Sequence, residues 1–211
     1  MDRNLEIEAV VTVAKLMALA ARTAPKSRGK DNLQVAIVTE REEINKLAAQ
    51  MRGIGTAKGQ RRSQRNQAKG EALTRDWHSD ARSVEKSDVL LLLGMNARQV
   101  LDHDCGGCGF VDCLEFAKSQ PLEGAEITGP SCVHKMVDFG IAMGSAAAVA
   151  ARHFVDNRMM NKLGVAARMM GYLPGSTVVM GIPLSATGKN IFFDRNDKVA
   201  SVSVLYDGAK H

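Results

Sequence analysis

The sequence is poor in aromatic residues, which make up 4% of its 211 residues, and it lacks any apolar run long enough to cross a membrane. A membrane helix needs roughly 20 consecutive apolar residues. The opening MDRNLEIEAV also lacks the basic start and apolar run of an export signal. With 45% hydrophobic residues, the chain can still bury a core. We therefore expect a single cytoplasmic domain over residues 1–211, with no membrane partner.

Motifs for hydrolysis and for nucleotide phosphates are also absent. The chain contains no Gly-x-Ser-x-Gly elbow. GIPLSATGKN (181–190) ends in a Gly-Lys pair but lacks the glycine spacing of a phosphate-binding loop. These absences disfavour a serine hydrolase and a P-loop nucleotidase.

Acidic residues are missing between residues 53 and 70, although the chain as a whole is only modestly basic, at net charge +5. Five cations occur there: Lys58, Arg61, Arg62, Arg65 and Lys69. Few apolar residues accompany them, so residues 53–80 are predicted to be a basic polar insertion or flexible segment. Such a run can bind phosphate backbones or an acidic protein. No aromatic residue interleaves the cations, which disfavours nucleic acid and favours a solvated loop.

Cysteine is absent except for four residues that lie close together. CGGCGFVDC contains Cys105, Cys108 and Cys113, and GPSCVHK contains Cys132. In a reducing compartment, clustered cysteines are more often metal ligands or redox centres than disulfides. We therefore interpret residues 102–134 as a metal-binding segment.

The spacing of these cysteines favours one 4Fe–4S cluster, since four thiolates match its ligand count. Glycines between the ligands allow the backbone to wrap the cluster and to direct N–H groups at its sulfurs. Zinc also takes four cysteines, but zinc sites usually offer two short Cys-x2-Cys pairs and this chain has one. Zinc, free thiols and disulfides stay open as alternatives. His103 and His134 flank the segment as further candidate ligands or as ordinary surface residues.

The hydrophobic pattern predicts helices and strands that do not alternate regularly. A Thr39/Glu42 capping box is predicted to start the second helix, and Asp156 to cap the last one. Before the cysteine loop, the expected order is helix 5–22, strand 33–38, a helix to about 52 and strand 88–94. After the loop come helices from 132 and from 157, then strands 177–182, 190–194 and 199–206. The last two strands are expected to be joined by a turn at 195–198. This order indicates an α+β domain with a mixed or antiparallel sheet.

Two resemblances add to this interpretation. CGGCGFVDCLEFA with Cys132 resembles the small iron–sulfur domain of corrinoid iron–sulfur proteins and of electron-transport subunits. The whole chain resembles a family of ferredoxin-domain proteins from anaerobic bacteria and archaea. The residues carrying that likeness are AARTAPKSRGKDNL, VEKSDVLLLLG, the cysteine loop, VDNRMMNKLGVAARMMG and GIPLSATGKNIFFDR.

AARTAPKSRGKDNLQVAIV and GVAARMMGYLPGSTVVMGIPLS resemble the nitroreductase-like flavoproteins. That resemblance implies an α+β homodimer, here with an inserted iron–sulfur loop, that binds FMN at the dimer interface. The chain departs from the family in lacking its N-terminal Arg-Arg-Ser motif, and the family's loop Ser and Asn fall on Lys26 and Gly29. The residues implied to contact FMN are Arg22, Lys26, Ser27, Arg28, Lys30, Gly181, Pro183, Lys189 and Arg195.

Together these features predict an iron–sulfur redox protein, leaning towards an FMN-dependent oxidoreductase that passes electrons between a 4Fe–4S cluster and the flavin. A flavin-free iron–sulfur carrier or redox sensor is the alternative, and a zinc-stabilised binding protein is a weaker one. A ferredoxin is a possible redox partner. The helix from Cys132, with Gly140 and Gly144, is interpreted either as a dimer contact or as a packed core helix.

Overall fold

The computed structural model describes residues 3–193. Its helices and strands agree closely with the sequence-based order in the first half of the chain, except around residues 53–80. The helices are α1 (Asn4–Thr23), α2 (Arg41–Ser63), α3 (Gln67–Glu85), α4 (Cys113–Lys118), α5 (Val133–Arg152) and α6 (Asn161–Met169). The strands are β1 (Leu33–Val38), β2 (Val89–Met95), β3 (Leu122–Glu123), β4 (Thr128–Gly129), β5 (Asp156–Asn157) and β6 (Val178–Ser185).

The main sheet has the order β1-β2-β6-β5, and every neighbouring pair is antiparallel. Leu33 pairs with Met95 at one end of the β1–β2 ladder, and Val89 pairs with Leu184 in the β2–β6 ladder. Strands β3 and β4 form a separate small hairpin. The architecture is therefore α+β with an antiparallel sheet, as the sequence predicts.

Strand β2 is buried on both faces because helices cover both sides of the sheet. Alternate side chains point to opposite faces of a strand. Leu91 and Leu93 accordingly join the core under α1 and α5. Leu90 and Leu92 join the core under α2, α3 and α6. This two-sided burial explains why β2 is a continuous apolar run without polar alternation.

Residues 53–63 and 67–80 are helical, which corrects the prediction of a flexible segment and of a helix ending at Arg52. Helices α2 and α3 pack so closely that small residues are required where they meet. A Cβ on Gly59 would lie 2.8 Å from the backbone oxygen of Gly70, and a Cβ on Gly55 would lie 2.9 Å from Cγ of Trp77. The glycines that suggest a loop are therefore packing residues of a helical hairpin.

Two predicted helix caps are also wrong. Glu40, not Thr39, precedes α2, and its side chain makes no capping hydrogen bond. Asp156 lies in β5, and the residue before α6 is Met160. Side-chain caps form instead at α3 and α4; at α3 the Asn66 side chain accepts a hydrogen bond from the backbone of Lys69 over 2.9 Å.

Beyond β6 the described chain ends in a turn at 191–193, not in the predicted strand 190–194. Phe192 is fully buried there and packs into the core beneath α2 and α6. The predicted strand 199–206 and the turn at 195–198 lie outside the described residues. Within residues 3–193, no helix is long and apolar enough to cross a membrane.

Candidate functional site

All four cysteines line one pocket, which lies between the 100–112 loop and the start of α5. Their exposure is graded: Cys105 is exposed, Cys108 and Cys113 are half-buried, and Cys132 is buried. The other lining residues are Val100, Leu101, His103, Gly106, Asp112, Phe116, Val133 and His134. The structure therefore brings the distant fourth cysteine to the three that are close in sequence.

Helix starts position the two cysteines that end the motif. Cys113 is the first residue of α4, and the Asp112 side chain caps that helix by accepting from the backbone of Glu115 over 2.8 Å. Cys132 directly precedes α5, and its backbone N–H donates to the oxygen of Ala97 over 2.7 Å. The starts of α4 and α5 therefore fix the backbone positions of Cys113 and Cys132.

The backbone around the first cysteine turns sharply. Gly106 and Gly109 have φ of 67° and 88°, the left-handed region that glycine adopts easily, and Asp104 has φ of 47°. Asp104 directs its backbone N–H at Sγ of Cys113 over 3.3 Å, and its carboxylate accepts from the backbone of Cys113 over 2.9 Å. The loop thus supplies an N–H donor, from Asp104, to the sulfur of Cys113.

Apolar side chains form the inner wall of the pocket. Leu101 and Phe116 are buried against Cys132, and Val100, Cys108 and Phe110 pack on this cluster. The rings of Phe110 and Phe116 meet edge to face with centroids 5.6 Å apart. A wall of this kind excludes water and lowers the local dielectric around a bound group.

The thiols do not converge on a single point. Within residues 3–193, no three His, Cys, Asp or Glu side chains are placed to hold one metal ion. A 4Fe–4S cluster does not require such convergence, because its four thiolates surround a cube of four irons. The donor set, the N–H directed at a sulfur and the apolar wall all fit that group.

His103 and His134 also meet at this pocket. Their ring centroids lie 5.1 Å apart, and both rings line the pocket with the cysteines. His103 and His134 therefore form part of the wall of the pocket that contains the cysteines.

The predicted FMN-contacting residues around the loop after α1 lie in one region of the structure, but their cationic side chains donate to protein acceptors. The Lys26 ammonium donates to the backbone oxygens of Ala21, Arg22 and Ala24 over 2.7, 2.7 and 2.8 Å, and so caps α1. Burial lowers the pKa of Lys26. Arg22 donates to Asp31 over 2.6 Å.

The next two cations reach the segment that leads into the cysteines. Arg28 donates to the backbone oxygens of Leu101 and Asp102 over 2.7 and 2.9 Å. Lys30 contacts Asp102 Oδ2 at 3.2 Å. The loop after α1 is therefore attached to the cysteine loop.

A buried ion pair on α5 anchors the same loop, and sequence reasoning missed it. Lys135 is fully buried, and its Nζ lies 3.1 Å from Asp138 Oδ2 and donates to the backbone oxygen of Lys30 over 2.7 Å. Asp138 Oδ1 accepts from the backbone and hydroxyl of Ser27 over 2.9 and 2.8 Å. The signal in the sequence is a Lys and an Asp three residues apart on the inner face of an otherwise apolar helix.

The remaining predicted flavin residues lie elsewhere. Gly181 and Pro183 are buried inside β6, where the backbone of Gly181 bridges to Met160. Lys189 is exposed in the segment after β6. Arg195 lies outside the described residues.

The chain is 38% identical over 197 residues to an uncharacterized protein of Archaeoglobus fulgidus, and the match covers 93% of this chain and 97% of the relative. A family model described as uncharacterized protein containing a ferredoxin domain matches residues 128–195. The chain belongs to this family. The matched range includes Cys132 but not the other three cysteines.

The solved structures that the chain resembles in fold include flavoproteins. A nitroreductase with bound FMN from Desulfitobacterium hafniense superposes with a TM-score of 0.57 at 14% identity, covering 90% of this chain and 91% of that one. A BluB-like flavoprotein from Clostridium difficile 630 gives 0.61 at 13% identity, covering 90% and 87%. The fold is therefore nitroreductase-like, as the sequence motifs predict.

Proposed function

We propose that this protein is an iron–sulfur redox protein in which Cys105, Cys108, Cys113 and Cys132 hold one 4Fe–4S cluster. The observation that carries the proposal is that every cysteine of the chain lines one pocket. Membership of a family described by a ferredoxin domain supports it. Thiolate ligands at four positions also match the ligand count of such a cluster.

The four cysteines would hold the 4Fe–4S cluster, and the cluster would supply one-electron chemistry when bound. The chain's own residues set where and at what potential this occurs. The apolar wall around Phe116 keeps the inner side of the pocket dry. The N–H of Asp104 that points at Cys113 Sγ would stabilise added negative charge and raise the reduction potential.

A second candidate adds FMN to the cluster, which would make the protein a flavin-dependent oxidoreductase. The likeness of its fold to a nitroreductase with bound FMN favours this candidate. The loop after α1 does not fit the flavin phosphate, because Lys26, Arg28 and Lys30 are engaged with protein acceptors and Asp31 and Asp102 add negative charge nearby. A flavin-free carrier or sensor agrees better with this loop.

We also infer that the protein forms a homodimer through α5. Val137 and Ile141 are 54% and 40% exposed on its outer face. Gly140 and Gly144 lie on the same face, with nothing described within 4 Å of an added Cβ. A second helix can approach such a surface closely, and the molar mass in solution tests this.

One experiment separates the candidates: an anaerobic ultraviolet–visible spectrum with iron, zinc and FMN quantified on the same sample. A broad band near 400 nm with about four irons per chain supports the cluster. Bound FMN in addition supports the oxidoreductase, and iron without FMN supports the carrier or sensor. A colourless protein with one zinc per chain would overturn the redox proposal.

A further inference from the structure

The end of the α2–α3 hairpin carries a concentration of uncompensated positive charge. We call Arg61, Arg62, Arg65 and Lys69 the basic tip. The three arginines are exposed, and within residues 3–193 none of the four side chains forms an ion pair. The whole chain has a net charge of +5, so these four residues nearly equal its entire excess.

Several cations nearer the base of the hairpin are, by contrast, neutralised, whereas Lys86 at the end of α3 is exposed and forms no ion pair among the described residues. Arg52 pairs with Glu85, and Lys58 pairs with Glu126. Lys162 of α6, which lies beside the hairpin, pairs with Asp76 and Asp80 of α3. The positive charge of the hairpin is therefore concentrated at the tip.

The hairpin holds the basic tip out on a stiff arm. Gly55 and Gly59 of α2 allow α3 to approach at backbone distance, and Trp77 is buried between the helices and the rest of the core. The Asn66 cap fixes the start of α3 directly after the turn. A charge pattern on a stiff arm loses little conformational entropy when a partner binds.

The arm is attached to the cysteine segment. Glu126, which receives the Lys58 ammonium, lies in the turn between β3 and β4. That turn belongs to the stretch of chain between Cys113 and Cys132. The other carboxylate oxygen of Glu126 accepts from Asn161 over 2.6 Å, so the turn is held from two sides. The arm is therefore joined, at Lys58, to the stretch of chain that runs between Cys113 and Cys132.

We propose that the basic tip docks an acidic one-electron carrier protein, which exchanges an electron with the site at the cysteines. The inference rests on the proposed iron–sulfur function, and it names the class of partner. On docking, the reduced carrier would lose one electron and the cluster would gain it. Complementary charge speeds such encounters by tenfold or more at low ionic strength.

The charges around the cysteines restrict the orientation in which a partner can dock. The cysteine loop itself carries Asp104, Asp112 and Glu115, and the charge of its Asp102 is offset by Lys30. An acidic patch on a partner is therefore attracted to the tip and repelled from the loop. The partner must consequently face the cysteines with a neutral or basic surface, which excludes reversed orientations.

A protein partner fits the tip better than a nucleic acid does. Four cations are fewer than the six to ten phosphate contacts of a typical DNA-binding surface. Trp77, the aromatic residue of the hairpin, is buried and so unavailable for stacking on bases. A nucleic-acid ligand would also gain nothing from the neighbouring thiols.

The test uses the whole protein and a strongly acidic plant-type [2Fe–2S] ferredoxin as the probe. Binding is measured at 20 and 200 mM NaCl for wild type and for the variant R61Q/R62Q/R65Q. The matched control is K15Q/K86Q/R152Q, which removes three exposed cations that also lack an ion pair among the described residues. We expect the tip variant to bind about tenfold more weakly at 20 mM NaCl, and the control to stay within twofold of wild type.

Electron transfer from the reduced probe is then followed by stopped flow, with iron content measured on each sample. A slower transfer in the tip variant alone supports the proposal. Equal losses in both variants, or no salt-dependent binding by wild type, would overturn it. Tighter binding of a 20-base-pair DNA duplex, lost only in the tip variant, would reassign the surface to nucleic acid. Absence of iron in wild type would defeat the proposed function. The binding measurement would still decide whether the basic tip docks the acidic probe.

Discussion

Arg28 donates a hydrogen bond to the backbone oxygen of Leu101 over 2.7 Å, across 73 residues of chain. This contact joins the loop after α1 to the segment leading into Cys105. Arg28 also has φ of 55°, a conformation that costs a non-glycine residue roughly 1–2 kcal/mol. A long side chain at such a position is consistent with a role in which its guanidinium is needed.

We predict that Arg28→Gln loosens the cysteine loop and makes a bound cluster more labile. Losing hydrogen bonds to a charged group costs about 1.5–3 kcal/mol each when both partners are buried, and less here because the contact is partly exposed. We expect bleaching of the visible band by an anaerobic iron chelator to be about tenfold faster than in wild type.

Two further variants make this test specific. Arg22→Gln removes a cation of the same loop that pairs with Asp31, so it should bleach at the wild-type rate. Arg28→Gly relieves the backbone strain but still loses the guanidinium, and it should bleach as fast as Arg28→Gln. Loss of FMN with unchanged cluster lability would instead show that Arg28 is a phosphate ligand.

Replacing single cysteines tests the ligand set directly. Cys108→Ser should lower iron well below four atoms per chain and weaken the visible band, because one iron loses its thiolate. His103→Ala and His134→Ala serve as controls, since these rings line the same pocket without belonging to the proposed ligand set. Unchanged iron in Cys108→Ser would contradict the four-cysteine assignment.

The buried pair on α5 is expected to contribute strongly to stability. Asp138→Asn leaves the fully buried Lys135 ammonium without its counter-ion, which costs about 3–5 kcal/mol in buried pairs. The double variant K135M/D138L removes both charges and should be less destabilised than Asp138→Asn. Denaturant unfolding of the three proteins checks this, and equal stability of Asp138→Asn and wild type would refute it.

The same carboxylate gives a signed pH dependence. Burial opposes ionisation of Asp138, but hydrogen bonds from Ser27 and the charge of Lys135 outweigh it and lower its pKa. The stabilisation is therefore present above the unfolded pKa of about 3.9 and is lost as pH falls through the folded pKa. The difference in melting temperature between wild type and Asp138→Asn should accordingly shrink below pH 4 and stay constant from pH 5 to 7.

The hairpin glycines offer a matched pair of substitutions. Gly59→Ala places a methyl 2.8 Å from the backbone oxygen of Gly70 and should destabilise by about 1–3 kcal/mol. Gly53→Ala meets nothing within 4 Å in the same helix and should stabilise by about 0.5–1 kcal/mol through helix propensity. Thermal melts of both variants decide the point; a loop at this position would give two small effects of the same sign.

Sequence analysis predicts well the helices and strands whose formation depends on their own residues and not on contacts with distant parts of the chain. Strand β1 coincides with the predicted LQVAIV, and β2 lies within one residue of its prediction, because both are short apolar runs. The α2–α3 hairpin escapes prediction, because glycine is a poor helix former, and the helix–helix contacts that favour it at Gly55 and Gly59 are not visible in the sequence.

The same distinction applies to the candidate site: some of its residues can be predicted from the local sequence, and the roles of others depend on tertiary contacts. Thiol chemistry and spacing identify the cysteines without any fold. The partners of Lys26 and Arg28 are backbone oxygens, and a carbonyl acceptor carries no residue-type signal in a sequence. Cationic side chains in a loop therefore look available for a phosphate until the backbone that binds them is seen.

The graded burial of the four thiols has a practical consequence. Because the chain has no other cysteine, alkylation of the apoprotein reports this pocket alone. Cys105, at the rim, meets reagents and oxidants first, whereas Cys132 is only 8% accessible and is reached last. Oxidation of the free thiols is therefore expected to begin at the rim, and a partly oxidised sample can still retain an intact innermost thiol.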